Sequence, residues 1–497
     1  MKDIYILAAD FGGSGTKTML YNLATNKVVH TAFRESRLYH PEPNAVVQDS
    51  EEMFSSATEG IKECVQATGI KGSDIGAIIF DGQQAGLIWI DEDYNAISPF
   101  DSWLDNRFVP FVRFMDEKCG DRILQKGGNK RIVTTGPKML WWKANKPDIY
   151  KKACKVVIPS CYVGGRLAGL RGKEAYFENT STGYSGMIDY ETDTWDDEIC
   201  TTCGIAREKL PEVVEPTKII GRLSKKYAQE LGISEGIPII AGAGDFPAGG
   251  IAAGVVKPGQ AGDISGTASL FFACSSTWKP DPEGLVRTLK SPINGYWYAF
   301  CFTNGGGCIR WFADNFVPNA DLKKLTGQTE KLLPGSEGLA FFPYIGGTSL
   351  DPSLGGAFLG LKWSHSQQHL YRSILESISF EYKSYSMAIR DLLQIPPFQE
   401  IRVFGGGSEN FMWNQMKADV LSTRYMRMRI HDCSLLGSVV IAGKAIGFYD
   451  DMIEGANKVN NVEDTFEPIP AATKVYEEVY SRWNGFKERN YAALKGI

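Results

Sequence analysis

Nowhere in its 497 residues does the chain hold an apolar run of the roughly eighteen residues that a membrane-spanning helix needs. It moves from Met1-Lys2-Asp3-Ile4 straight into a strand-like run, so neither secretion nor membrane insertion is expected, and a cytoplasmic location is. An excess of positive charge is missing too. Against 53 Lys and Arg stand 58 Asp and Glu, and the net charge of −5 argues against nucleic acid or an acidic membrane as principal partner. The ten cysteines are scattered, mostly in apolar or helical context as at Cys64, Cys154 and Cys274, which fits reduced thiols and no disulfide framework. Cys200-Thr-Thr-Cys203 has redox or zinc spacing, but no second pair or histidine lies near it in sequence. His365 and His369 stand four apart without the glutamate of an HExxH helix, and a solvated helix start accounts for them.

What is present is an ordinary globular composition, 43% hydrophobic and 22% charged, on a chain long enough for two domains. Strand-like runs at Ile4–Ala9, Lys17–Leu23 and Val28–Glu35 are followed by a helix capped by Asp49 or Ser50. In that helix Met53, Ala57, Ile61 and Val65 recur every four residues. A further strand, Ile75–Phe80, ends in Asp81-Gly82-Gln83-Gln84, giving an α/β order with polar loops at strand ends. In the second half, strands are expected up to Asp263, at Phe271–Cys274, Tyr296–Phe302 and Ile401–Phe404. Long helices are expected at Gln367–Leu393 and Phe411–Ser422. The boundary falls within Gly249–Gly262, where glycine and alanine replace periodic structure, and the domains are taken as 1–253 and 254–497.

The chemistry-bearing segments are turns that follow strands. Asp10-Phe11-Gly12-Gly13-Ser14-Gly15-Thr16-Lys17 has a later echo in Asp263-Ile264-Ser265-Gly266-Thr267-Ala268-Ser269. Glycine lets the backbone approach phosphate closely, and the free N–H and hydroxyl groups donate to its oxygens. Asp10 reads either as a carboxylate holding Mg²⁺ through water or as a turn cap. Lys17 reads as a phosphoryl partner or a surface lysine. Gly405-Gly406-Gly407-Ser408 is a third glycine turn, between strand and helix. Asp245, delivered by Ile239-Ile240-Ala241-Gly242-Ala243-Gly244 and followed by Phe246-Pro247, reads as a general base or a helix N-cap. Gln83, Gln84, Trp103, Asp105, Asn106 and Arg107 suit a polyhydroxylated ligand, or equally a surface loop with a packed indole.

Together these segments resemble the FGGY family of carbohydrate kinases over nearly the whole chain. The most specific likeness is Gly356-Ala357-Phe358-Leu359-Gly360-Leu361, seven residues, then His369-Leu370-Tyr371-Arg372-Ser373-Ile374-Leu375-Glu376. A second family signature is partly present at Thr135-Gly136-Pro137-Lys138-Met139-Leu140-Trp141. The resemblance implies an α/β fold of two actin-like, ribonuclease H-type domains, with the active site in the cleft between them. It implies Mg²⁺ and ATP as phosphoryl donor and a sugar or polyol as acceptor, with Asp245 as base and Asp10 on the metal. Gly12, Gly13, Ser14, Thr16 and Lys17 would then hold phosphate, as would Gly266 and Thr267. Gly306, Gly406, Gly407, Ser408 and Asn410 would hold the remainder of the nucleotide. Gln83, Gln84, Trp103, Asp105, Arg107 and Phe246 would meet the sugar beside Asp245.

The layout is most similar to the xylulokinase branch, which implies a ketopentose. Those enzymes usually carry Gln-Met-His-Gly where this chain has Gln83-Gln84-Ala85-Gly86, so an imidazole is replaced by a methyl group. Kinases of ribulose, gluconate, glycerol or erythritol type are the alternatives, then a non-sugar actin-like ATPase. Relatives commonly dimerise, which admits a homodimer.

Overall fold

In the computed structural model, residues 3–495 are described except 131–133, 267, 318, 320, 349, 352, 430 and 431. Thr267, expected to hold phosphate, therefore lies outside the described residues. Strands β1 (Tyr5–Phe11), β2 (Gly15–Asn22), β3 (Lys27–Glu35), β4 (Ile75–Gly82), β5 (Ile219–Arg222) and β6 (Pro238–Gly244) form one sheet in the order β5-β6-β4-β1-β2-β3. In it β1 runs antiparallel to β2 and parallel to β4, and β4 runs parallel to β6. A second sheet holds β7 (Ala261–Ile264), β8 (Ser269–Ser275), β9 (Arg287–Lys290), β10 (Trp297–Thr303), β11 (Glu400–Phe404), β12 (Arg424–Met428) and β13 (Val462–Phe466). Its order is β9-β10-β8-β7-β11-β12-β13.

Here β7 runs antiparallel to β8 and parallel to β11, and β11 parallel to β12. The pairing around β1 is thus repeated around β7. The glycine turns after β1 and β7 occupy equivalent places, as do those after β4 and β11. This is the duplicated α/β architecture expected from the paired turns.

In chain order, helices α1 (Ser50–Thr68), α2 (Val109–Gly127), α3 (Thr135–Asn145), α4 (Asp197–Cys203) and α5 (Asp245–Ala252) belong to the first half. The second half adds α6 (Gly305–Phe316), α7 (Gln367–Leu393), α8 (Phe411–Leu421) and α9 (Cys433–Ala445). Local chemistry explains their limits. Asp49 caps α1 by accepting from the Glu51 and Glu52 amides at 2.8 and 3.0 Å, and Gly69 closes it in the left-handed region, φ 63°. Met53, Ala57, Ile61 and Val65 are buried, as their four-residue spacing requires.

One apolar cluster lies in each half, and a third is shared. In the shared cluster Ile6, Ala8 and Ile79 of the first sheet meet Val439 and Val440 of α9. Helix α9 crosses α5 so closely that a Cβ on Gly437 would come within 1.8 Å of the Ala248 carbonyl oxygen. This close crossing is one of the contacts that join the two halves. Among the described residues no helix is long and apolar enough to cross a membrane.

Candidate active site

Three strand ends and one helix meet where the two halves face each other. β1 ends beside Asp10, β4 beside Asp81, and the parallel register sets these two aspartates opposite one another. In β6 the register shifts between Ile240 and Ala243, and Gly242 takes φ 81° there. A Cβ on it would meet the Phe80 carbonyl at 1.9 Å. That glycine bulge aims the strand end so that Asp245 opens α5. From the second half, α9 brings Ser438, whose hydroxyl donates to Asp81 at 2.6 Å.

A cavity of about 1120 Å³ opens between the halves, and Asp10, Gln83, Gln84, Trp103, Asp245 and Phe246 all line it. Facing them are Ala268, Gly405 and Ser434 of the second half. Burial pushes the Asp245 carboxyl up to about 7, with the Asp10 charge adding to the effect, while the Phe246 amide donates to it at 2.6 Å. Burial also raises Asp10. It holds Asp81 well above the usual carboxylate range, and the neighbouring Asp10 charge works in the same direction. Oδ1 of each of these two aspartates has no hydrogen-bond donor among the described residues. An open pair of carboxylate oxygens suits a hydrated divalent cation, which takes few protein ligands when phosphates supply the rest.

The second-half turns converge around β7 and β8. Ser265 accepts from the Gly407 amide at 2.8 Å, while the Ser269 hydroxyl donates to the Gly266 carbonyl at 2.9 Å and accepts from the Gly306 amide at 3.2 Å. Ser408 closes its own turn on the Gly405 carbonyl at 2.7 Å, and Asn410 caps α8 through the Trp413 amide at 3.1 Å. Beneath them the Lys417 ammonium donates to Asp263 at 2.6 Å and to Ser265 at 2.7 Å, with lysine and aspartate both wholly buried. In the first half, the Gly12 amide donates to the Gly15 carbonyl at 3.0 Å, Gly13 faces open space, and Ser14 is exposed. Thr16 is buried, and the Lys17 ammonium is bonded to Asp432 of the other half.

Both halves of this chain match the FGGY family of carbohydrate kinases, by its N-terminal domain over residues 5–252 and its C-terminal domain over 264–446. The chain belongs to that family. It is similar to a xylulose kinase of Bacillus subtilis, 26% identical over 481 residues that cover 96% of this chain and 95% of that one. A gluconokinase of the same organism is 24% identical over 482 residues, covering 93% and 92%. Among solved structures, a gluconate kinase from Lactobacillus acidophilus superposes with a TM-score of 0.92 at 22% identity over 99% of both chains, a likeness of fold.

Within this FGGY kinase, Asp105 and Arg107 stand apart from the cavity lining. Arg107 is held by Glu42, Asp101 and Asp105 at 2.6, 2.7 and 2.8 Å and stacks 4.1 Å from the Trp141 ring centroid. Asp105 also accepts from the Val46 amide at 3.0 Å. Their charges are matched to each other and to neighbouring loops, while Trp103 and Asn106 beside them do line the cavity.

Several residues of the site were not foreseen. Lys138, buried in α3, donates to the carbonyls of Ala85, Asp101 and Ser102 at 3.3, 3.0 and 2.6 Å, stitching the Gln83–Gln84 loop to the Trp103 loop. Glu178, buried, accepts from the Thr180 amide and hydroxyl at 2.8 and 2.5 Å and from Ser181. Thr180 in turn accepts from the Gly244 amide at 2.9 Å, and Gln84 donates to the Thr180 carbonyl at 3.1 Å. A carboxylate followed closely by Thr180-Ser181-Thr182 is the signal that could have pointed to this network. His369, expected at a solvated helix start, is instead buried and accepts from the Ser366 amide at 3.1 Å.

Proposed function

We propose that this FGGY kinase transfers the γ-phosphoryl group of ATP to a hydroxyl of a ketopentose of the xylulose type, with Asp245 as general base. The observation that carries the reading is the single cavity that Asp245 and Asp10 share with Gln83 and Gln84 on one side and Gly405 and Ala268 on the other. A carboxyl pushed up to about 7 is matched to taking a proton from an alcohol near neutral pH. Residues 1–253 would carry the acceptor sugar, the first phosphate turn and the base, and 254–497 the nucleotide. Asp10, with Asp81 beside it, would hold Mg²⁺, which supplies charge neutralisation for the phosphates when bound. In the turn at Gly12, Gly13 and Ser14, Gly13 faces open space and Ser14 is exposed, which would leave room for a phosphate. Gly266, Gly306, Gly406, Gly407 and Ser408 would hold the nucleotide, and Asn410 caps the helix that follows them. Gln83 Oε1 has no donor among the described residues and is the natural acceptor for a sugar hydroxyl. Catalysis would rest on positioning and charge stabilisation as the cleft closes over both substrates.

A second reading, an aldonate of the gluconate type, is favoured by Arg113. This exposed cation on the cavity wall has no ion-pair partner among the described residues and would accept a carboxylate. Location in the cytoplasm and assembly as a homodimer belong to the same proposal. ADP release by the purified protein with ATP and Mg²⁺ separates the readings. Turnover with D-xylulose or D-ribulose but not gluconate supports the first, and the reverse supports the second. Preference for glycerol or erythritol would redirect the assignment to a polyol. ATP hydrolysis that ignores every added polyol would overturn both readings in favour of an ATPase.

A further inference from the structure

The Cys200-Thr-Thr-Cys203 spacing does not bring its own two thiols together as a bonded pair. Cys203 Sγ instead contacts Cys119 Sγ at 3.4 Å, although the two residues are 84 positions apart. Cys119 belongs to α2 and is partly exposed, whereas Cys203 closes α4 and is buried. The backbone at Cys119 leaves the helical region, φ −144° and ψ 15°, so α2 is interrupted at this residue. The segment before the interruption carries Val109, Val112 and Arg113 on the wall of the cavity. Two thiols in contact, one of them open to solvent at a break in a helix, form a cross-element site with no part in phosphoryl transfer.

We propose that Cys119 and Cys203 form an oxidation site that closes to a disulfide with a peroxide as oxidant. Cys119 is the entry point because it is the more exposed of the two. Its thiol loses a proton, the thiolate sulfur attacks one peroxide oxygen, the O–O bond breaks, and the departing hydroxide takes up that proton, leaving Cys119 sulfenic acid and water. The Cys203 sulfur then attacks the sulfenic sulfur, the S–S bond forms, and the S–O bond breaks with loss of a second water. In sum, two thiols and one hydrogen peroxide give one disulfide and two waters. The sulfurs must approach to about 2.0 Å, and the interruption in α2 leaves the backbone beside Cys119 outside the regular helical ladder. Burial pushes the Cys203 thiol up to about 12, and the neighbouring Cys119 and Cys200 add to this while Lys118 opposes it. Closure is therefore slow near pH 7 and faster at alkaline pH. The bridge would tie the cavity-wall helix to α4.

The test uses the intact protein, hydrogen peroxide in stepwise excess at pH 7 and pH 9, thiol alkylation and peptide mass analysis. The expected result is a Cys119–Cys203 cross-link two hydrogens lighter than the separate peptides. It should form at least threefold faster at pH 9 and be reversed by dithiothreitol. Cys119→Ser and Cys203→Ser should each abolish it, and Cys200→Ser should leave it. A Cys200–Cys203 link, oxidation of Cys119 to the sulfinic acid without cross-linking, or no thiol loss at either pH would overturn the proposal. None of these readouts depends on kinase activity, so failure here is distinct from failure of the proposed function.

Discussion

Lys17 on β2 of the first half is bonded to Asp432, which immediately precedes α9 of the second. The residue expected to face a phosphate is thus engaged by a carboxylate from across the cleft. Both side chains are partly exposed, at 35% and 21%, so the pair can be exchanged for another anion at modest cost. Lys17→Ala should raise KM for ATP about tenfold, equivalent to about 1.4 kcal/mol. Asp432→Ala should lower it about threefold by removing the competitor. Steady-state ATP titration decides this, and an Asp432→Ala enzyme with a raised KM would refute competition.

For Asp245 the pH dependence has a definite sign. Its carboxyl stands near 7 in the folded chain, above its ordinary 3.8, chiefly through burial. Below the ordinary value both states are protonated and nothing distinguishes them. Between there and 7 the unfolded chain gives up the proton while the folded one keeps it, so stability falls as pH rises through that window. Asp245→Asn should therefore melt about 1–3 °C higher than the parent at pH 8, with no difference at pH 4. It should also lose phosphoryl transfer while sugar binding stays within about tenfold. Turnover of the parent should climb between pH 6 and 8; a flat profile, or an active Asn variant, would remove Asp245 from the base role.

Lys138 holds two cavity-lining loops by their carbonyl oxygens, and burial lowers its ammonium to about 8 against the opposing pull of Asp101 and Asp105. Lys138→Met should raise KM for the accepted sugar at least tenfold with KM for ATP inside about twofold, and Lys138→Arg should recover part of the loss. Equal damage to both constants would indicate general unfolding of the first half.

The Lys417–Asp263 pair lies wholly out of solvent beneath the turn that follows β7, with the ammonium 3.7 Å from the Trp413 ring centroid. Lys417→Met strands a buried carboxylate and should cost about 3–5 kcal/mol in denaturant unfolding. Adding Asp263→Leu should restore at least half of that. Because Ser265 also loses its donor, KM for ATP should remain elevated in the double variant even where stability returns. A double variant as unstable as Lys417→Met would show that the loss came from packing, not from an unpaired charge.

Much of the architecture was legible from short-range pattern. The first helix carries its cap at Asp49 and its apolar stripe at Met53, Ala57, Ile61 and Val65 within one continuous segment, so propensity and burial agree there. The strand–turn strings at Asp10 and Asp263 likewise record their chemistry locally, since a glycine turn needs only neighbouring residues to form. Gln83 and Gln84 were readable because they directly follow a buried strand. Asp105 and Arg107 carry the same polar signal as Trp103 and Asn106, and no local pattern distinguishes a charge facing a cavity from one matched to Asp101 and Glu42.

What the chain order alone settled was which residues end strands, which turns can bend around a phosphate, and that the motif occurs twice. These depend on backbone conformations reachable within a few residues. Only the folded molecule decided that Asp81 faces Asp10, that Lys17 meets Asp432, and that Cys203 touches Cys119 and not Cys200. Each of those contacts joins residues far apart along the polypeptide. Sheet register, the α5–α9 crossing and the packing of α2 against α4 create them, and none of these is written in any single segment.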